Sequence, residues 1–207
     1  MLNSPVCAGT IRAMGDSADT TRSHSPGSEL RILVSREALA DRVEQLAGEI
    51  TDCYGAGEIT IVGVMTGAFV FLADLMRSLS MPIRLAIVSV CSYPGQAMKS
   101  QGPRLALPPT ADLTGRDVLI VDDILDSGGT MTFLLEMFSR AEPKSLRTCV
   151  LLRKDLGRPV DRPDADFAGF DIPDEFVVGY GLDYDDLYRG LPDLCVLDPS
   201  QLREGGK

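Results

Sequence analysis

The sequence predicts an α/β protein with a mainly parallel central sheet flanked by helices. Short apolar runs such as "ITIVGV" at 59–64 alternate along the chain with segments of helical spacing. The runs are apolar on both faces, which is typical of strands in a parallel sheet that helices cover on both sides. The chain has 207 residues, of which 44% are hydrophobic, and this suffices for the core of one such domain.

The predicted elements follow from periodicity and from helix-start signals. Ser35 is a suitable N-cap, and apolar residues at helical spacing after it predict an amphipathic helix over 36–53. The next elements are a strand at 59–64, a Gly turn and helix within 66–79, strands at 83–90 and 118–121, a helix from about 129 to 140, and a strand at 147–152. After residue 160 the segments "DFAGF", "FVVGY" and "LCVL" predict short strands.

Two segments lack a regular pattern. Residues 1–28 are rich in Ser, Thr, Gly and Asp, and they are predicted to be a disordered leader in front of one domain at 29–207. Residues 94–115 contain Gly and Pro without a clear period and are predicted to be a loop. A loop of that length inside a compact domain is usually functional or mobile.

Composition argues against several classes of function. The net charge of −10 and the pI of about 4.6 oppose nucleic-acid binding, which needs a basic surface. No apolar run has the ~18 residues of a membrane span, and we expect no secretory signal. The five cysteines are scattered without a CxxC pair, which favours a cytoplasmic protein and opposes a zinc site. The only histidine is His24, so acid–base chemistry is expected from carboxylates, Lys or Tyr.

The stretch "VLIVDDILDSGGTM" at 118–131 carries the main indication of function. After a buried strand it places the carboxylates Asp122, Asp123 and Asp126, and then Ser127, Gly128, Gly129 and Thr130. Free amides at the start of a helix, close backbone approach at glycine and two hydroxyls would together bind a phosphate monoester. Adjacent carboxylates would accept hydrogen bonds from the vicinal hydroxyls of a ribose, with or without a metal ion. The stretch therefore predicts a site for ribose 5-phosphate.

Other interpretations of this stretch remain open. "VLIVDD" also occurs in receiver domains of two-component systems, although there it opens the chain and the phosphoacceptor Asp follows one strand later. A plain strand–turn–helix with surface carboxylates is the second alternative. A Walker loop is not an alternative, because the sequence has no GxxxxGK[ST] motif.

The stretch closely resembles the phosphoribosyl pyrophosphate (PRPP) motif of type I phosphoribosyltransferases. Further resemblance, to the hypoxanthine-guanine branch of that family, lies in "GVMTGAFVFLADL", in "SVCSYPG", and in "LLRKD" followed by "FVVGYGLDYDDLYRGLPDLCVL". The resemblance covers about residues 30–198. It implies the type I fold, with a small hood of short strands over the base site. It also implies purine salvage, in which ribose 5-phosphate moves from PRPP to a 6-oxopurine, giving IMP or GMP and pyrophosphate.

The resemblance implies roles for the motif residues. Asp122 and Asp123 would bind the ribose hydroxyls, and Asp126 through Thr130 would bind the 5-phosphate. Asp126 would also be the catalytic acid/base that faces the purine N7. Pyrophosphate would be bound by Met65, Thr66, Gly67 and Arg189. In the family the first of these segments often contains a non-proline cis peptide.

The base and the metal have their own implied residues. Lys154 would donate to the 6-oxo group, which favours oxopurines over aminopurines because an amino group would leave the donor unpaired. Phe176 would stack on the base, Val177 would accept from the guanine amine, and Asp183 would complete the base site. Magnesium would be held by Asp122, Asp123 and Asp183, partly through water. Ser92 and Tyr93 would open a lid that excludes water.

The chain departs from the family pattern at several positions. Thr66 replaces the usual Lys or Arg, Gly129 replaces a bulkier residue, and the stretch after Tyr93 is not a close match. Two other functions stay open: a regulator that keeps the PRPP motif and binds nucleotide and nucleic acid, and a transferase for another base such as xanthine. Relatives form dimers and tetramers, so a homo-oligomer is expected.

Overall fold

A computed structural model describes residues 11–12, 30–92, 103–107, 111–157 and 161–198. Its strands are β1 (Ile11–Arg12), β2 (Arg31–Val34), β3 (Ile59–Met65), β4 (Ile83–Ser92), β5 (Pro103–Leu107), β6 (Asp117–Leu125), β7 (Ser145–Asp155), β8 (Phe167–Pro173), β9 (Val177–Val178) and β10 (Leu194–Val196). Its helices are α1 (Arg36–Tyr54), α2 (Phe69–Ser78) and α3 (Gly129–Ser139). None of the helices in the described residues is long and apolar enough to cross a membrane.

The strands form two sheets. Seven strands lie in the order β1-β8-β7-β6-β3-β4-β5, and every neighbouring pair is parallel except β4 with β5. Three strands form a small antiparallel sheet in the order β2-β10-β9. The predicted α/β class, with a mainly parallel sheet and a small hood, is confirmed. We define the hood as residues 176–197, which contain β9 and β10.

The predicted amphipathic helix forms α1 for the expected reasons. The Ser35 side chain accepts a hydrogen bond from the amide of Ala38 at 3.3 Å, which caps the helix start. Its apolar stripe is buried, and Leu39 and Leu46 are inaccessible to solvent. Helices α1 and α2 pack in one core cluster and α3 packs in the other. Alternate residues of β6 enter the two clusters, so the helices cover opposite faces of the sheet.

Strand β6 is longer than predicted, and this corrects the expected position of the acid pair. The strand was predicted over 118–121, with the carboxylates following it, but it runs from Asp117 to Leu125. Ile124 and Leu125 pair with Leu152 and Arg153 of β7, which extends the ladder beyond the acids. The acids therefore project from a strand inside the sheet.

The segment 94–115 was predicted to be a loop, and within it the structure shows β5 (Pro103–Leu107). This strand pairs antiparallel with β4 at the edge of the sheet, where a proline is tolerated. Within the predicted leader the structure describes only Ile11–Arg12, which pair in parallel with Phe170 and Asp171 of β8. The other residues of 1–28 lie outside the described part, so the domain boundary stays a prediction.

Candidate active site

A cavity of about 250 Å³ opens at the carboxyl ends of β3 and β6. It is lined by Val64, Met65, Gly67, Val90, Asp122, Asp123, Ile124, Leu125, Asp126, Ser127, Gly128, Gly129, Thr130 and Met131. Parallel strands place the loops that follow them on one edge of the sheet, and this is where ligands bind in such folds. The sheet thus brings the acid–glycine stretch together with the turn after β3.

The adjacent carboxylates of Asp122 and Asp123 form one wall of the cavity. Asp122 is only 6% exposed, and its Oδ1 accepts a hydrogen bond from the amide of Asp123 at 3.0 Å. Burial raises the pKa of Asp122 well above its usual value, and the charge of Asp123 raises it further. Burial also raises the pKa of Asp123, while the nearby Arg189 guanidinium acts in the opposite direction. Such a pair of carboxylates favours a ligand that supplies hydrogen-bond donors or positive charge.

The turn from β6 into α3 presents the start of a helix to the cavity. Gly128 adopts a φ of 83°, in the left-handed region, and its carbonyl accepts the amide of Thr132 at 2.9 Å. No side chain caps α3, so the first amides of the helix are not bonded by a capping residue. With the partial positive charge of the helix start, the turn suits an anion. Ser127 is exposed and Thr130 partly exposed, so both hydroxyls are accessible.

The turn after β3 forms the opposite wall. The Met65–Thr66 peptide is cis, as the family resemblance implied. Met65 and Gly67 line the cavity, whereas Thr66 is exposed and not among the lining residues. A methyl group on Gly67 would overlap the carboxylate of Asp123, and one on Gly181 would overlap the Gly67 carbonyl. Three segments distant in sequence therefore meet at Gly67: β6, this turn and the hood.

Lys154, one of the residues predicted to bind the base, lies next to the cavity at the end of β7. Lys154 Nζ is 3.4 Å from Oδ2 of Asp126 and 3.1 Å from Oδ1 of Asp174. The Lys154 side chain is only 12% exposed, whereas the Asp126 side chain is 52% exposed. The cation is thus held beside the predicted catalytic carboxylate. Asp174 was not expected from the sequence, because it lies 20 residues from its partner.

The hood carries the remaining predicted base residues. The Phe176 side chain is 42% exposed, which leaves area for stacking, and its ring meets Tyr184 edge-on at 5.6 Å. Val177 is buried in β9, where it pairs with Val196. The hood is fixed to α2 by the Tyr180 hydroxyl, which donates to Asp74 Oδ2 at 2.7 Å.

Asp183, which was predicted at the base and magnesium sites, and Arg189, which was predicted at pyrophosphate, bind each other. Arg189 Nη2 lies 2.9 Å from Asp183 Oδ1, and Nη1 donates to the carbonyl of Gly181 at 2.9 Å. Among the described residues no three Asp, Glu, His or Cys side chains come together to hold a metal ion. The adjacent carboxylates of Asp122 and Asp123 nevertheless fit magnesium, which takes one or two carboxylates and completes its shell with water and substrate oxygens.

Of the two predicted lid residues, Ser92 ends β4 and Tyr93 lies outside the described part of the chain. One residue that sequence reasoning missed contacts the cavity loop directly. Arg162, between β7 and β8, donates hydrogen bonds to the carbonyls of Leu125 and Asp126. In the sequence Arg162 is a cationic residue in a Pro-containing segment, and such a pattern does not indicate a site.

Comparison with known proteins agrees with this geometry. The family model "phosphoribosyl transferase domain" matches residues 31–185. The hypoxanthine-guanine phosphoribosyltransferase of Aquifex aeolicus is 42% identical over 174 residues, which are 83% of this chain and 97% of that protein.

The chain belongs to the hypoxanthine-guanine phosphoribosyltransferase family.

Solved members of the family share the fold. The hypoxanthine-guanine phosphoribosyltransferase of Bacillus anthracis superposes with a TM-score of 0.76 at 38% identity, covering 82% of this chain and all of the other. A variant of the hypoxanthine phosphoribosyltransferase of Trypanosoma cruzi, complexed with the product IMP, superposes with a TM-score of 0.77 at 36% identity, covering 89% and 97%. The type I phosphoribosyltransferase fold expected from the sequence is thus confirmed.

Proposed function

We propose that the protein transfers ribose 5-phosphate from PRPP to hypoxanthine or guanine in purine salvage. The products are IMP or GMP and pyrophosphate. One observation carries the proposal: a single cavity is lined by the acid pair, by the uncapped start of α3 and by the cis-peptide turn. A sugar phosphate with a diol and two anionic groups matches this set of donors, acceptors and dipoles.

The substrate would lie across the cavity in one direction. Its ribose hydroxyls donate to Asp122 and Asp123, and its 5-phosphate accepts from the amides and hydroxyls of 126–130. Pyrophosphate contacts Met65, Thr66 and Gly67 on the opposite wall, and Arg189 once its bond to Asp183 is exchanged for a phosphate oxygen. Arginine suits that position because its planar fork binds phosphate in a bidentate manner.

Asp122 and Asp123 would hold magnesium together with substrate oxygens and water, and Asp183, which is paired with Arg189, would reach the ion through water. When bound, the ion would neutralise charge on the leaving pyrophosphate. Burial raises the pKa of Asp122 and of Asp123, and a bound cation or hydroxyl donors would stabilise their charged forms.

The purine would lie between the end of β7 and the hood. Lys154 donates to the 6-oxo group, Phe176 stacks on the ring, and the Val177 carbonyl accepts the guanine amine. Asp126, 3.4 Å from Lys154, would exchange a proton with the purine N7. Displacement at the ribose C1 then proceeds through a loose, oxocarbenium-like transition state, which the protein stabilises by position and charge.

The chain is also proposed to form a homo-oligomer, a dimer or tetramer. Leu85 and Ile87 lie two residues apart on β4 and are 44% and 37% exposed, and Phe69 at the start of α2 is 55% exposed. Apolar side chains exposed in this way favour a protein contact. The mass of the protein in solution, measured by light scattering, tests this: a monomer at micromolar concentration contradicts it.

The activity is tested by incubating the full chain with PRPP, magnesium and a panel of hypoxanthine, guanine, xanthine and adenine. We expect IMP and GMP with release of pyrophosphate and no AMP. Asp126→Ala is the control and should lose most of the rate, because the acid/base at N7 is gone. The proposal is wrong if the wild-type protein forms no nucleotide from any 6-oxopurine.

A further inference from the structure

Arg162 binds the back of the turn that carries Asp126. Its Nη1 donates to the carbonyl of Leu125 at 3.2 Å and to the carbonyl of Asp126, and its Nη2 donates to the carbonyl of Lys154 at 2.7 Å. Its Cβ occupies the space that a methyl group on Gly128 would need. One side chain therefore connects the end of β6, the turn and the end of β7.

These contacts set the direction of the amides in the turn. In a trans peptide the carbonyl of one residue and the N–H of the next point in opposite directions. The only cis peptide in the described residues is Met65–Thr66, so the peptides after Leu125 and Asp126 are trans. Because Arg162 holds these two carbonyls, the amides of Asp126 and Ser127 point away from it. Both residues line the cavity.

We propose that Arg162 is a positioning residue for the phosphate-binding turn. It touches neither substrate nor reacting atoms. It aims two backbone amides at the 5-phosphate and fixes the turn relative to the strand that carries Lys154. Its planar guanidinium can bind three carbonyls at fixed angles, which an ammonium group on a flexible stem cannot do. The inference rests on the proposed function, since it assumes that 126–130 binds the 5-phosphate.

The test compares a ligand that has the phosphate with one that lacks it. Dissociation constants for IMP and for inosine are measured by calorimetry on the full-length wild type, Arg162→Gln and Arg162→Lys. The ratio of the inosine constant to the IMP constant reports the contribution of the phosphate alone. We expect this ratio to fall about tenfold in Arg162→Gln, the size of one weakened charge-assisted hydrogen bond, and by less in Arg162→Lys.

Arg42 offers a matched control. It also donates to two backbone carbonyls, those of Gly169 at 2.9 Å and Ala168 at 2.8 Å, but it joins α1 to β8 outside the cavity lining. Arg42→Lys should lower the melting temperature and leave the ratio unchanged. If Arg162→Gln does not fold, Arg162→Lys supplies the measurement.

The other outcomes are distinguishable. The inference is wrong if both Arg162 variants keep the wild-type ratio. If IMP and inosine are then weakened equally, Arg162 has a general structural role. A wild type that binds IMP no more tightly than inosine overturns the phosphate site itself, and the proposed function with it.

Discussion

The carboxylate of Asp123 occupies the space beside Gly67 in which any other residue at position 67 would place its Cβ. Gly67→Ala should therefore displace Asp123 from the cavity wall. We expect kcat/KM for PRPP to fall about 100-fold, because displacing a binding group by about 1 Å has costs of that size. Steady-state kinetics with PRPP as the varied substrate provide the measurement.

Gly48 supplies the control for this change. It lies within α1, and a Cβ built there would meet nothing within 4 Å. Gly48→Ala should stabilise the protein by about 0.5–1 kcal/mol and leave the kinetics unchanged. Full activity in Gly67→Ala would show that the turn relaxes around the methyl group.

Gly128 and Gly129 should respond to alanine with opposite signs. Gly128 has a φ of 83° and faces Arg162, so Gly128→Ala should destabilise the protein by about 1–3 kcal/mol. At Gly129 a Cβ would have only Ser127 Oγ nearby, at 4.0 Å, and alanine favours the first turn of α3. Gly129→Ala should therefore raise the free energy of unfolding by up to about 1 kcal/mol. Urea unfolding of both variants checks the pair, and equal effects would contradict it.

Asp122→Asn should make the protein more stable at neutral pH. Because burial raises the pKa of Asp122, the native state retains a proton that the unfolded chain releases above its ordinary pKa of 3.8. The free energy of unfolding therefore falls as pH rises from about 4 to the raised pKa, by about 1.4 kcal/mol for each pH unit in that window. Asparagine carries no charge and avoids this loss. Thermal melts at pH 4 and 7 should show a gain that is present only at the higher pH.

Asp112→Asn is the control for the pH dependence. Asp112 is exposed, and its pKa is lowered mainly by a hydrogen bond from the Thr114 backbone. Its charge stabilises the native state above the ordinary pKa, and that contribution is lost as pH falls through the lowered value. The asparagine variant should thus show no gain at neutral pH. A gain of equal size in both variants would mean that net charge, and not burial of Asp122, sets the trend.

Lys154→Met should impair use of the base more than use of PRPP. The ammonium group lies between Asp126 and Asp174, and in the proposed function it donates to the 6-oxo group. We expect kcat/KM for hypoxanthine to fall about 100-fold, as for loss of a hydrogen bond to a charged donor. KM for PRPP should change much less. Lys144→Met removes an exposed lysine paired with Asp117 and should leave both parameters unchanged.

The periodic elements were predictable from the sequence because their pattern is local. The helix predicted over 36–53 is α1 (Arg36–Tyr54), and the strand predicted at 59–64 is β3 (Ile59–Met65). Strand β5 was missed because a Pro-containing edge strand has little pattern of its own and forms only by pairing with β4. The full length of β6 was missed because pairing with β7, not local apolarity, extends it.

The site divides in the same way. The grouping of Asp122 through Thr130 along the cavity was predictable because these residues follow one another in the sequence, although the first four of them belong to β6. Arg162 and Asp174 were not, because each acts on residues 8 to 37 positions away. The approach of Gly181 to Gly67 likewise depends on how the hood lies against the turn after β3, which no local pattern contains.

The hood shares its small sheet with β2, the strand that leads directly into α1. Cys195 and Val196 of β10 pair with Ile32 and Arg31 on one side and with Val178 and Val177 of β9 on the other. In the proposed function, the residues that bind the base are therefore supported partly by β2. A chimera that exchanges residues 176–197 for those of a relative with another base preference should inherit that preference only if the segment 31–34 is exchanged with them.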